Sequence, residues 1–79
     1  MITTLEKLKN GDRAVIRDIK GGHAVRQRLN RLGLHPRDTL QIIRSGYVGG
    51  PVLLEIHGSE VGIGQGMAEK IEVEVPDHP

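Results

Sequence analysis

The sequence predicts a mainly β protein, a small barrel of about five antiparallel strands with one α-helix inserted between the first two strands. The chain is 37% hydrophobic but only 1% aromatic, so its core must consist of Val, Ile and Leu, and the β-branched members of that set favour strands. Eleven glycines and four prolines divide its 79 residues into short segments. A chain of this length has room for one core. We therefore expect a single domain over residues 1–75 and a flexible tail over 76–79.

One segment carries a helical pattern. Val25, Leu29 and Leu32 fall at i, i+4 and i+7, which predicts an amphipathic helix of about two and a half turns with these three residues on its buried face. Gly33 follows the last apolar position and is expected to end the helix in the left-handed conformation. Leu34 should then contact Leu29, as in a Schellman ending.

The first strand is predicted over Arg13–Ile19, with a bulge near Arg17 and Asp18, where the apolar alternation changes phase. The segment before it, Thr3–Lys9, is expected to form only a helical turn. The helix then separates this strand from the next one.

The remaining strands are predicted over Thr39–Arg44, Pro51–His57, Glu60–Ile63 and Ile71–Val75. Pro51 has no N–H for pairing at the centre of a sheet, so its strand is expected to start at an edge. Gly58 and Ser59 match a two-residue hairpin loop with glycine in the first position. Gly66–Lys70 is expected to form a short helical turn.

Composition excludes several classes of function. Eleven basic and ten acidic side chains give a net charge of +1, too balanced for sequence-independent binding to nucleic acid or to an anionic membrane. The near absence of aromatic rings also argues against base stacking. There is no cysteine for a disulfide or a thiolate metal site, no signal peptide and no apolar run of about 20 residues. We expect a cytoplasmic protein that reaches a membrane only through a partner.

Three stretches, RLNRLGLHPRDTLQII, GGPVLLEIHG and GMAEKIEVEV, together resemble the FeoA family, the small ferrous-iron transport protein A. The resemblance implies an SH3-like barrel, similar to the C-terminal domain of DtxR-type metal-dependent repressors. It also implies a non-enzymatic accessory that binds the FeoB-type iron transporter, or its cytoplasmic GTPase domain, and modulates iron uptake. No catalytic residue is implied. One position departs from the pattern: many relatives have glycine after the turn proline, where this chain has Arg37.

Two groups of residues are candidates for partner binding. Arg26, Arg28, Arg31 and Arg37 form a basic patch on and after the helix, which could meet an acidic partner surface or be a solvated face with local ion pairs. Tyr47 and Val48 lie in a glycine-bracketed loop, where Tyr47 either contacts a partner or covers one end of the barrel. The predicted partner-binding set is Tyr47, Val48, Leu34, Arg28, Arg31 and Arg37.

Histidine and aspartate are the candidate metal ligands. His23, His35, Asp38 and His57 carry donors that Fe(II) accepts, but no pair has the tight spacing of a metal motif, so ordinary surface histidines are the alternative. We expect no required cofactor. Binding of Fe(II) or another divalent transition metal remains open, and with it an alternative function as a metal sensor or carrier. An exposed edge strand also leaves a homodimer open.

Overall fold

A computed structural model describes residues 1–46 and 49–76. Its strands form one antiparallel sheet in the order β1-β6-β2-β3-β4-β5. They are β1 (Ile2–Thr4), β2 (Arg13–Ile19), β3 (Thr39–Arg44), β4 (Val52–Ile56), β5 (Ser59–Ile63) and β6 (Ile71–Glu74). The mainly β, SH3-like fold class is confirmed. Within the described ranges β1 and β5 are the two edges and do not pair, so the sheet is not closed as the predicted barrel would be.

Two α-helices and a 3₁₀ turn over Leu5–Lys7, the helical turn predicted within Thr3–Lys9, complete the fold. Helix α1 (Gly22–Arg31) connects β2 to β3, and the four-residue α2 (Gln65–Ala68) precedes β6. The predicted helix therefore lies between the second and third strands, because β1 was missed. That strand has three residues and no periodic signal, and it is held by pairing with β6, in which Thr3 lies opposite Val73. No helix in residues 1–46 and 49–76 has the length and apolarity to cross a membrane.

The core is aliphatic, as predicted. Its buried side chains come from five strands, both helices and the connections between them, and the described residues bury no charged or polar residue. The members of the core are Leu5, Leu8, Ala14, Ile16, Ile19, Leu29, Leu34, Leu40, Ile42, Val52, Leu54, Ile56, Ile63, Ala68, Ile71 and Val73.

The bulge predicted in β2 is confirmed. The pairing of β2 with β6 changes register between Ile16 and Asp18, so Arg17 is an extra, unpaired residue on β2. The extra residue returns Ile19 to the buried face. The next residue, Lys20, donates its backbone N–H to Lys70 O at 2.7 Å, so β2 stays attached to the start of β6 up to the point where the chain turns into α1.

Helix α1 ends in the predicted Schellman motif. The backbone N–H of Gly33 donates to Asn30 O and that of Leu34 donates to Leu29 O, both at 3.0 Å. Gly33 has a φ of +91°, the left-handed conformation that glycine adopts without a Cβ penalty. The chain therefore reverses within two residues of the end of the helix.

Because of this reversal, Leu34 is buried and Leu32 is exposed, the opposite of what was predicted for these two residues. Leu29 and Leu34 are fully buried, whereas Leu32, predicted to lie on the buried face, is 44% exposed. Val25 is half-buried against the core. The Schellman turn carries Leu34 back over Leu29, so Leu34 occupies the space that a continuous helical stripe would have given to Leu32.

The hairpin loop between β4 and β5 differs from the predicted one by one residue. Ile56 pairs with Ser59, so the loop residues are His57 and Gly58, with φ of +52° and +77°. Positive φ at both positions is typical of a type I′ turn, which has glycine second rather than first. The prediction that Pro51 begins an edge strand is also wrong, because β4 lies between β3 and β5 and starts after this proline.

Candidate interaction and metal-ligand sites

The helix arginines fall into two groups. Arg26 donates from Nε to Ile19 O at 3.0 Å and so attaches α1 to the end of β2. Arg28 and Arg31 are exposed on the last two turns and make no hydrogen bond or ion pair with another described residue. A cation without a local partner keeps its full capacity to bind a carboxylate. Arg28 and Arg31 are therefore the members of the predicted patch on α1 that are available to a partner.

Arg37 lies apart from them, in the turn between α1 and β3. It has a φ of +78°, a conformation that side chains with a Cβ rarely adopt. Its backbone N–H donates to Ile16 O at 2.7 Å, which fixes the turn against β2. The guanidinium is exposed and forms no ion pair within the described part of the chain. The residue is thus held by its backbone, and its charge remains free for solvent or a partner.

Leu34 is not a contact residue, because it is fully buried, and its assignment to an exposed surface is wrong. Tyr47 and Val48 lie outside the described residues, so their assignment stays a prediction. The described ends of their loop are attached to α2, since Gln65 Nε2 donates to Gly50 O at 2.9 Å and to Gly46 O at 3.4 Å.

Three of the four candidate metal ligands lie together. Asp38 Oδ2 is 3.1 Å from His57 Nε2 and 3.5 Å from His35 Nδ1, and it also accepts the backbone N–H of His35 at 3.0 Å. His23 lies on a different element, the first turn of α1. Sequence spacing gave no sign of this cluster, because the sheet order places the β4–β5 loop beside the turn that leads into β3.

The pKa of Asp38 lies below its ordinary value of 3.8. Burial, the largest single influence, raises this pKa, but hydrogen bonds from the His57 ring and the His35 backbone, together with attraction to both imidazoles, lower it by more than burial raises it. Both rings thus approach one carboxylate oxygen. Within residues 1–46 and 49–76, no group of three His, Cys, Asp or Glu side chains is arranged to hold a metal ion. The cluster links two turns.

Sequence reasoning missed a shallow groove between α1 and the end of β5. It is lined by Arg28, Leu32, Gly62, Ile63, Gly64 and Met67. Its volume of about 70 Å³ is well below the roughly 300–1,000 Å³ of a small-molecule site, so it admits a side chain rather than a cofactor. The one available signal was Gly62, which puts no side chain at an exposed position of β5.

These features define a small SH3-like domain that presents unpaired cations, a narrow groove and an open sheet edge. The sequence model of the FeoA domain matches residues 3–75. This chain belongs to the FeoA family.

Individual proteins support the same assignment. Over 66 residues the chain is 36% identical to a Methanocaldococcus jannaschii protein assigned as an Fe(2+) transport protein A, covering 84% of this chain and 78% of the relative. A crystal structure of the iron uptake regulatory protein FeoA superposes with a TM-score of 0.88 at 33% identity, over 96% of this chain and 99% of that one.

The fold also occurs within larger proteins. A manganese-dependent transcriptional repressor superposes with a TM-score of 0.87 at 18% identity, over 95% of this chain and 37% of the repressor. At that identity the likeness shows a shared fold. The similarity to a domain of metal-dependent repressors, expected from the sequence, is thereby confirmed.

Proposed function

We propose that this chain is a non-enzymatic, cytoplasmic accessory of ferrous-iron uptake that binds the FeoB-type transporter, through its cytoplasmic GTPase domain, and modulates transport. The observation that carries the proposal is the FeoA domain match over residues 3–75, together with 36% identity to a protein assigned to Fe(2+) transport. The surface features support binding to a protein partner. Arg28 and Arg31 offer charge to a partner, and the groove beside Arg28 has room for a side chain.

The partner surface is predicted to include the end of α1. Arg28 and Arg31 are exposed and unpaired among the described residues, so reversing both charges removes attraction to an acidic surface without breaking an internal contact. We expect the R28E/R31E variant to bind the purified GTPase domain at least tenfold more weakly in biolayer interferometry. Binding by the unmodified chain should weaken as salt is raised.

The matched control is the K9E/R13E variant, which reverses two exposed charges just before and at the start of β2 and so changes the net charge by the same amount. This variant should bind as the unmodified chain does. Equal losses of affinity in both variants would show that binding depends on the net charge of the chain and not on the position of Arg28 and Arg31. An unmodified chain that does not bind the GTPase domain at all would overturn the proposed function.

A metal sensor or carrier is the second candidate, favoured by the proximity of His35, Asp38 and His57. We rank it second because both imidazoles approach the carboxylate rather than a shared coordination point. Interferometry repeated anaerobically with and without Fe(II) separates the two functions. Affinity that is independent of Fe(II) supports the accessory, whereas affinity that requires Fe(II) and is lost in the His57→Ala variant supports the sensor.

A further inference from the structure

Strand β5 has an open edge. Its partner β4 lies on one side, and no described strand lies on the other. Ile56 and Ser59 close a two-residue loop and form a hydrogen-bonded pair, so the next pair along, Glu55 with Glu60, and then Leu53 with Gly62, are of the non-hydrogen-bonded type. In such pairs the N–H and C=O groups of Glu60 and Gly62 point away from β4. They make no hydrogen bond elsewhere in residues 1–46 and 49–76.

The groove adjoins this edge. Gly62 and Gly64 form part of its wall and the half-exposed Leu32 forms another part, so an added strand would lay one side chain against Leu32 and Met67. A Cβ built on Gly62 meets no atom within 4 Å. The wall is therefore open at Gly62.

Charge is distributed unevenly along the edge. Glu60 lies directly opposite Glu55, so two acidic side chains share one face near the hairpin loop. Arg28, unpaired among the described residues, stands at the groove. An added strand complements this pattern if it carries a basic residue beside Glu60, an apolar residue at the groove and an acidic residue near Arg28.

A second copy that pairs through its own β5 does not meet these requirements. The solvent face of its own β5 carries Glu60 and Gly62, which supply neither a cation for Glu60 nor a side chain for the groove. A segment of a different protein is the better match.

We propose that β5, from Glu60 to Gly62, binds an extended segment of the partner protein as an added strand, with an apolar side chain in the groove and an acidic side chain on Arg28. This mode uses main-chain hydrogen bonds for affinity and the groove for specificity. The inference rests on the proposed function, and its partner is the cytoplasmic domain of the FeoB-type transporter.

Amide exchange in the ¹⁵N-labelled chain, measured by NMR with and without that cytoplasmic domain, tests the edge directly. We expect exchange at Glu60 and Gly62 to slow at least tenfold in the complex, because both N–H groups gain acceptors. The Gly62→Leu variant adds a bulky side chain at the wall of the groove, where an added strand would lie, and should bind at least tenfold more weakly. The matched control is Gly66→Leu, also at a position where a Cβ meets nothing within 4 Å, and it should change affinity less than twofold.

The outcomes separate the two proposals. If the unmodified chain binds but these amides exchange at their free rates, or if Gly62→Leu binds normally, the added strand is excluded and the proposed function stands. Equal losses in the two leucine variants also exclude it. No binding by the unmodified chain overturns both proposals. A dimer in light scattering that Gly62→Leu abolishes would assign the edge to a second copy instead.

Discussion

His57 Nε2 lies 3.1 Å from Asp38 Oδ2 and links the β4–β5 hairpin loop to the turn between α1 and β3. The same oxygen accepts the backbone N–H of His35 within its own turn at 3.0 Å. Asp38 therefore stabilises two turns at once, one by a local hydrogen bond and the other by a long-range contact. The Asp38 side chain is 21% exposed, but the His35 and His57 side chains are 52% and 62% exposed, so solvent screens the attraction between the charges.

The Asp38→Asn variant should be less stable than the unmodified chain by about 1 kcal/mol near pH 6, because the amide keeps the shape but not the charge. The pKa of Asp38 is lower in the folded state than its ordinary value of 3.8, so this stabilisation is present above pH 3.8 and is lost as the pH falls through the folded value. Urea unfolding over a pH series should show the two proteins converging in acid. Glu69→Gln, at an exposed position, should show no such trend. A difference that persists at the lowest pH would contradict the assignment.

The Arg37→Gly variant should be more stable by about 0.5 kcal/mol. At a φ of +78° the Cβ of arginine costs roughly 1–2 kcal/mol, and glycine avoids this cost. The unfolded state of the glycine variant has greater entropy, which lowers its stability by roughly 0.5–1 kcal/mol and offsets part of the gain. Arg37→Ala removes the charge but keeps the Cβ, so it should give no gain in thermal unfolding. If alanine stabilises as much as glycine, the effect comes from charge rather than from backbone strain.

Truncation of the two leucines on either side of Gly33 should lower the stability by very different amounts. Leu34→Ala removes a fully buried side chain and should lower the free energy of unfolding by roughly 2–5 kcal/mol. Leu32→Ala acts at a side chain that is 44% exposed and should cost less than about 1 kcal/mol. Chemical denaturation measures both changes. Equal losses of stability would indicate that Leu32 is buried like Leu34, as the sequence predicted.

The Glu60→Lys variant should stabilise the free chain and weaken partner binding. Lysine opposite Glu55 replaces a like-charge pair by an attractive one, worth roughly 0.2–1 kcal/mol. The same change removes the acidic group that an added strand would meet at the β5 edge. Thermal unfolding and interferometry on one preparation report both effects, with Glu69→Lys as the control of equal charge change. If the variant gains stability and keeps full affinity, Glu60 is not part of the interface.

Local patterns predicted the parts of the fold that local interactions determine. The Schellman ending at Gly33 and the bulge near Arg17 and Asp18 each depend on a few neighbouring residues, and both were placed correctly. β1 depends on β6, more than sixty residues away in sequence, and its three residues carry no period of their own. The hairpin loop was misplaced because His57 adopts a left-handed backbone while its ring contacts Asp38, a contact that local sequence does not encode.

The candidate sites show the same limit. Arg28 and Arg31 could be placed on an exposed helix face from periodicity alone, but only the structure distinguishes them from Arg26, which is used to attach the helix. The histidine and aspartate cluster is created by sheet order. The groove beside β5 is defined partly by the missing side chain of Gly62, and its other walls come from α1 and α2.

The position of β6 in the sheet also constrains how the chain folds. β3, β4 and β5 follow one another in sequence and pair as neighbours, whereas β6, which comes after the other five described strands in sequence, lies between β1 and β2. β2 can pair with β3 early, but β1 has no neighbour in the sheet until β6 is made, and such long-range closure slows folding. On a ribosome β1 would therefore remain unpaired until β6 has been synthesised. Stalled chains ending before Ile71 should protect amides of β3 to β5 from exchange while leaving those of β1 unprotected.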